Sequence, residues 1–214
     1  KNLNKILKLA KDKNKLLFEC FMYSYHPVFK YLKNIIKSKK FGKIRYVISN
    51  FRFPSLSKKD NRYSQHLGNG FFNDAASYLI SLESYLFENF NSNFQFELKK
   101  IKKKIDMRGY IFLKKNNQTR HYFWGEGQNY KNNIEIFFDE ATIHIDKFFS
   151  KVKKEPILMQ LRSKFSLKTI SFKGADQFEI MFNTIIQNYN KKKFKLQNYS
   201  LIKNQINLMS KLNK

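Results

Sequence analysis

The residues best placed to do chemistry are Asp74 and Tyr78, four positions apart in the run Phe71-Phe72-Asn73-Asp74-Ala75-Ala76-Ser77-Tyr78. Positions i and i+4 share one face of a helix, so a carboxylate and a phenol point into the same space. A tyrosine that titrates near ~10 is a poor base at neutral pH unless a cation stabilises its phenolate. With a lysine beside it, the phenol can pass a proton to or from a substrate hydroxyl, while the carboxylate orients the substrate. Ser81 and Tyr85 continue the same stripe. A solvated face is the plain alternative, but in this chain a solvated face would carry lysine. No Lys or Arg occurs between Arg62 and Lys99, which points to contact with something other than water.

These residues need a helix to hold them. A Gly-Asn-Gly turn, Gly68 to Gly70, launches an apolar helix predicted from Phe71 to about Phe90. Upstream, Leu3 to Asp12 reads as a short amphipathic helix and Leu16 to Phe21 as a buried strand. Pro27 suits the first turn of a helix running to about Lys40, closed by Gly42. Alternating apolar residues from Lys43 to Phe53 mark a long strand, and Ser55 to Leu67 a polar loop. Further strands are predicted over Phe94–Ile105, Arg108–Leu113, Arg120–Gly125, Asn133–Phe138, Thr142–Phe148, Ile157–Ser163 and Ser166–Phe172. Two helices follow, Asp176–Tyr189 and about Tyr199–Leu212. The sum is an α+β fold, a large, mainly antiparallel open sheet with helices on one face, preceded by a helix–strand step of an αβ domain.

The net charge of +26 over 214 residues invites a nucleic-acid partner. Only six of the 42 basic residues are Arg, the side chain whose fork reads bases and phosphates, and the lysines are spread through every element. The excess accompanies abundant Asn, Ile and Phe, so the bland reading is a composition bias on a solvated surface, with nucleic acid unlikely as a partner. Such a surface would still draw in phosphorylated or nucleotide-bearing substrates. Cys20 stands alone, which fits a reducing cytoplasm. His26, His66, His121 and His144 are scattered, so no metal site is expected, and no apolar run is long enough to span a membrane.

The segment Phe18-Glu19-Cys20-Phe21-Met22-Tyr23-Ser24-Tyr25-His26-Pro27 resembles the Glu-Ala-Phe-Met-Tyr-Arg-Tyr-His-Pro segment of the Gfo/Idh/MocA oxidoreductases. Phe41-Gly42-Lys43-Ile44-Arg45 is similar to that family's turn into its first C-terminal strand. Asn61 to Tyr78 resembles its pattern Asn-x-Arg-Tyr…Leu-Gly-Gly-Gly-x-x-x-Asp-x-Gly-x-Tyr/His. The resemblance implies an NAD- or NADP-dependent reductase or dehydrogenase of a sugar, nucleotide-sugar or related alcohol. Tyr78 would be the proton relay, with Asp74 at its side. Arg62, Tyr63 and Tyr25 would line the substrate pocket, and His26 and Pro27 would lie at the cofactor. It implies residues 1–26 as the remnant of a Rossmann-type dinucleotide-binding domain and 27–214 as the catalytic, substrate and oligomerisation domain. Subunits would pair through the open sheet. Tyrosine at the last motif position favours the branch of dihydrodiol dehydrogenases and nucleotide-sugar ketoreductases.

The chain departs from the family in three ways. It contains no Gly-x-Gly-x-x-Gly loop and no Glu-Lys-Pro motif with the family's catalytic lysine; Lys154-Glu155-Pro156 has the order wrong. Asn69 and Ala76 replace motif glycines. The expectation is the C-terminal portion of a longer enzyme, inactive as it stands, whose cofactor is held mainly by a missing N-terminal domain. The alternative is a non-catalytic binding or oligomerisation module derived from the same family.

Overall fold

A computed structural model describes residues 2–67, 70–88, 95–102 and 105–212. Its frame is a sheet of eight strands: β1 (Ile44–Phe53), β2 (Gln95–Lys102), β3 (Asp106–Lys115), β4 (Gln118–Glu126), β5 (Lys131–Phe138), β6 (Ala141–Asp146), β7 (Ile157–Ser163) and β8 (Ser166–Phe172). Their spatial order is β2-β3-β4-β1-β5-β6-β7-β8. All neighbours run antiparallel except β1 and β4. Parallel neighbours cannot be joined by a tight hairpin. Here the connection carries a whole helix and the β2–β3 hairpin before the chain returns to β1.

Period-two alternation decides what each strand face meets. Val47, Ile111, Tyr122, Trp124, Ile134, Ile136, Ile143 and Ile145 are all buried and form one core. Helices α2 (Pro27–Ser38) and α3 (Ser77–Tyr85) and the end of α5 (Lys192–Leu212) cover this face. Among the described residues the opposite face lacks that cover. Tyr46 and Leu158 are about half exposed there, and Tyr110, Phe112 and His121 stack on one another across β3 and β4. Helix α1 (Asn2–Asp12) is tied to α5, because Lys195 Nζ donates to the Asn14 carbonyl at 2.7 Å and Tyr199 Oη donates to the Lys15 carbonyl. Helix α4 (Gln177–Asn188) is capped by Asp176, which accepts from the amides of Phe178 and Glu179.

Four expectations change. Residues 16–21 form no strand. Their backbone turns locally, Phe21 N donating to Glu19 O and Met22 N to Cys20 O, and leads into a 3-10 turn over Met22–Tyr25. No described strand lies beside them, and a strand without a neighbour cannot pair its backbone. The helix expected from Phe71 opens instead as a π-helix, Phe72–Ala76, and becomes α-helical only for Ser77–Tyr85. Gly68, Asn69 and Phe90 lie outside the described residues, as does Phe94. Strand β6 stops at Asp146 because Lys147 takes a left-handed conformation, which drops Phe148 and Phe149 into the core. Helix α5 begins at Lys192, seven residues before Tyr199, since buried Lys195 and Asn198 anchor its first turns.

Candidate active site

The start of the π-helix is fixed by a carboxylate distant in sequence. Asp106 Oδ2, at the head of β3, accepts from the amides of Phe71 at 3.0 Å and Phe72 at 2.5 Å. Its side chain is 8% exposed and satisfies amides that no helical carbonyl can reach. Gly70 makes this approach possible. Its φ is +91°, and a Cβ there would stand 2.3 Å from Asp106 Oδ1. Single π turns often mark functional positions, because the extra residue displaces one side chain from the regular helical face. The displaced segment here contains Asp74.

Asp74 is paired. Arg62 Nε donates to its Oδ2 at 2.6 Å, and both side chains are about a third exposed. Arg62 is itself held by Asp60, which caps the 3-10 turn Asn61–Tyr63 through the Arg62 amide and accepts from Nη1 at 2.9 Å. Partial burial alone would lower the Arg62 pKa, but the Asp74 and Asp60 carboxylates overcome it and raise it above the ordinary value. An ion pair this exposed is worth little to the fold and exchanges its partners readily.

Tyr78 lies in an aromatic nest. Phe21, Phe51 and Phe149 meet its ring edge-on at 5.1, 5.4 and 6.1 Å. Its hydroxyl donates to Met22 Sδ at 3.5 Å. Burial pushes its pKa up to about 12, with Asp74 adding to the rise and Arg62 opposing it. The phenol therefore keeps its proton near neutrality. A thioether is a weak acceptor, so a ligand oxygen can displace it cheaply.

The other expected residues are dispersed. The Tyr63 hydroxyl donates to Glu126 Oε1 at 2.7 Å and accepts from the Leu56 amide, so it ties the loop after β1 to the end of β4. Tyr25 lines a separate cleft with Phe194 and Tyr85. His26 is 1% exposed, and its Nδ1 accepts from the Val28 amide as the cap of α2. Burial, with help from Lys151, lowers its pKa to about 4, so the ring is neutral. Pro27 is exposed at the first position of α2. Arg62, Asp74 and Tyr78 are thus brought together, while Tyr25, His26 and Pro27 are not part of that group.

Sequence reasoning missed Asp106, Glu126 and Met22. The signal available was scarcity: acids are outnumbered 16 to 42, and Asp106 interrupts a run of lysines. A second missed group holds α3 from behind. Fully buried Glu83 pairs with Arg120 Nε at 3.1 Å and accepts from Tyr122 Oη at 2.5 Å. Among the described residues no His, Cys, Asp and Glu cluster could hold a metal ion. No helix among them is long and apolar enough to cross a membrane.

The model of the GFO/IDH/MocA C-terminal domain matches residues 29–144. A dTDP-3,4-didehydro-2,6-dideoxy-alpha-D-glucose 3-reductase of Saccharopolyspora spinosa is 22% identical over 175 residues, 81% of this chain and 53% of that protein. The fold superposes on KijD10, a 3-ketoreductase of Actinomadura kijaniata solved with NADP and TDP-benzene, with a TM-score of 0.86 at 18% identity. That match covers 99% of this chain and 66% of KijD10. An aldose-aldose oxidoreductase of Caulobacter crescentus, complexed with glycerol, gives a TM-score of 0.70 at 12% identity, over 98% of this chain and 66% of its own. The chain thus spans about half the length of the curated relative and just under two thirds of these solved enzymes.

Proposed function

We propose a function from one premise: the chain belongs to the GFO/IDH/MocA family, whose C-terminal domain it carries. It is the substrate-binding and proton-handling part of a reductase that acts on a nucleotide sugar or related sugar. The observation that carries this reading is the Arg62–Asp74 pair beside a phenol whose hydrogen bond, among the described residues, goes to a thioether. Asp74 and Arg62 offer an acceptor and a donor to neighbouring sugar hydroxyls. Tyr78 gives its proton to the substrate oxygen as a carbonyl becomes an alcohol, or takes it back in the reverse direction. A phenol held at about 12 is suited to donate. To act as a base it needs a cation closer than Arg62, and the family's lysine is the candidate.

NAD or NADP is the expected hydride carrier, but the residues present do not fit it. A dinucleotide needs a strand, a glycine-rich turn and a helix N-terminus for its pyrophosphate. Residues 16–21 form no strand and the sequence has no such loop. The cofactor and the lysine are therefore assigned to residues outside this chain, with residues 1–26 as the join and 27–214 as the substrate domain. No step here runs through the cofactor. The uncovered sheet face, with Tyr46, Phe112 and Leu158 upon it, is assigned to pairing between copies.

The test is the reading frame upstream of Lys1, followed through roughly one dinucleotide-binding half-domain, ~110 codons. A glycine-rich strand–turn–helix and then Glu-Lys-Pro support the reading. The joined protein should reduce a dTDP-keto sugar, and Tyr78→Phe should lower kcat by about 100-fold with KM little changed. An in-frame stop followed by a start would refute the reading and favour the non-catalytic module.

A further inference from the structure

The π turn that carries Asp74 gives way to α-helix at Ser77, one residue before Tyr78. Single π turns are rare, so the surroundings must favour this one over plain α-helix. Three side chains grip carbonyls at the junction. Ser77 Oγ donates to the Asp74 carbonyl at 2.6 Å, and Ser81 Oγ to the Tyr78 carbonyl at 2.7 Å. Between them, Gln205 Nε2 donates to the Ser77 carbonyl at 2.9 Å. The two serines are local, and such back-bonding occurs in ordinary helices. Gln205 is not local: it reaches in from α5, 128 positions along the chain.

Gln205 is wholly buried, and its Oε1 has no hydrogen-bond partner among the described residues. Its nitrogen is identified by its partner, since a carbonyl can only accept. A buried amide satisfied on one side alone costs free energy that an apolar side chain of the same size would not. Packing of α5 on α3 therefore does not explain a glutamine here, whereas the bond to Ser77 does. What stands on either side of that bond gives it meaning. Asp74 belongs to the π turn and Tyr78 to the first turn of α3, so the angle between carboxylate and phenol is set where one helix type becomes the other.

We propose that Gln205 is a positioning residue: by holding the Ser77 carbonyl it keeps the π turn from relaxing, and so fixes Asp74 and its Arg62 partner against the Tyr78 phenol. Tyr78 is kept in place by the rings of Phe21, Phe51 and Phe149. Relaxation to α-helix would therefore turn Asp74 away from Arg62 and leave the phenol behind. The value of this hold to turnover rests on the reductase reading; the hold on the junction does not.

Amide exchange and the Arg62 side-chain resonance of the chain test the hold, and turnover of the joined enzyme tests its use. Gln205→Met keeps the volume, removes the donor and should leave the melting temperature within about 3 °C of the parent. Exchange at the Ala76 and Ser77 amides should quicken about tenfold. Leu86 and Phe87, bonded to the Leu82 carbonyl at the far end of α3, should keep their protection. The Arg62 Nε–H, shielded by Asp74, should exchange with water about tenfold faster. Gln205→Glu keeps the shape but donates only while its carboxyl is protonated, so junction protection should persist at about pH 5 and be lost at about pH 9. In the joined enzyme Gln205→Met should lower kcat about tenfold. Unchanged exchange at Ala76 and Ser77 overturns the proposal, as does acceleration spread evenly along α3 or an unaltered Arg62 resonance. Unchanged kcat in an enzyme that Tyr78→Phe does disable overturns it as well. Normal turnover by Tyr78→Phe would sink the reductase reading alone, and the exchange and Arg62 results would still decide the role of Gln205.

Discussion

Helix α3 is held by two arginine–carboxylate pairs that differ in little except water. Near its start Arg62 meets Asp74 at 2.6 Å with both side chains about a third exposed. Farther along, Arg120 meets Glu83 at 3.1 Å with neither in contact with solvent, and Tyr122 closes the group. A buried pair gives nothing up, because either partner alone would be an uncompensated charge in a low-dielectric core. It locks the rotation of α3 on β4. An exposed pair costs little to open. The same chemistry serves as a bolt at one place and as a latch at the other, and the latch sits beside Tyr78, the phenol proposed above as the proton donor.

Breaking the bolt should have the largest effect. Glu83→Gln or Arg120→Met alone is expected to cost about 3–5 kcal/mol in denaturant unfolding, whereas replacing both with apolar residues of similar volume should recover most of that loss. Equal losses in the single and double variants would show that packing, not charge, holds the helix.

Glu19 supplies a pH test on the same side of the helix as Tyr78. Burial raises its pKa from 4.5 to about 7. The folded state then binds more protons than the unfolded chain between those values, so stability falls as pH rises from about 4.5 to about 7 and levels off above. Over that window Glu19 should cost about 2 kcal/mol after allowance for its partial contact with water, and Glu19→Gln should remove that slope. A parallel slope in the variant would locate the titration elsewhere.

Asp106→Ala removes the acceptor of two helix-start amides and is expected to cost about 1–2 kcal/mol. Amide exchange at Phe71 and Phe72 should quicken with it, and unchanged protection there would refute the capping role. The smallest effect on folding belongs to the latch. Asp74→Asn should change stability by less than about 1 kcal/mol while abolishing turnover of the joined enzyme. A large loss of stability would make Asp74 structural and undo the contrast.

Much of the fold was legible because its signals are local. Period-two alternation marked β5, β7 and β8, and Pro27 marked the start of α2. In the stripe Asp74–Tyr78–Ser81–Tyr85, avoidance of water holds for the last two residues and not for Asp74, which is about a third exposed. Ser81 and Tyr85 are buried, and the stripe packs on Phe21 and Tyr23 of its own chain, with Tyr23 Oη 2.6 Å from Ser81 Oγ. What stayed illegible joins distant residues. Asp106 lies 34 positions beyond the Phe72 amide it caps, and Glu126 is 63 from Tyr63. No periodicity encodes such pairs. The expected strand at residues 16–21 failed for the converse reason, since apolar composition cannot supply the neighbour a strand must pair with.

The parallel contact of β1 with β4 also bears on how the chain reaches this state. Strands β2 to β4 and β5 to β8 are two ladders of sequential antiparallel neighbours, each able to zip from local turns. Strand β1 precedes both yet must insert between them, with Val47 facing Arg120 on one side and Ile136 on the other. Closing those long loops is the slow entropic step. Until it happens, β4 and β5 each present an open edge to any other chain. The centre of the sheet is thus the last part to assemble, and crowding during synthesis is the condition under which misassembly competes best.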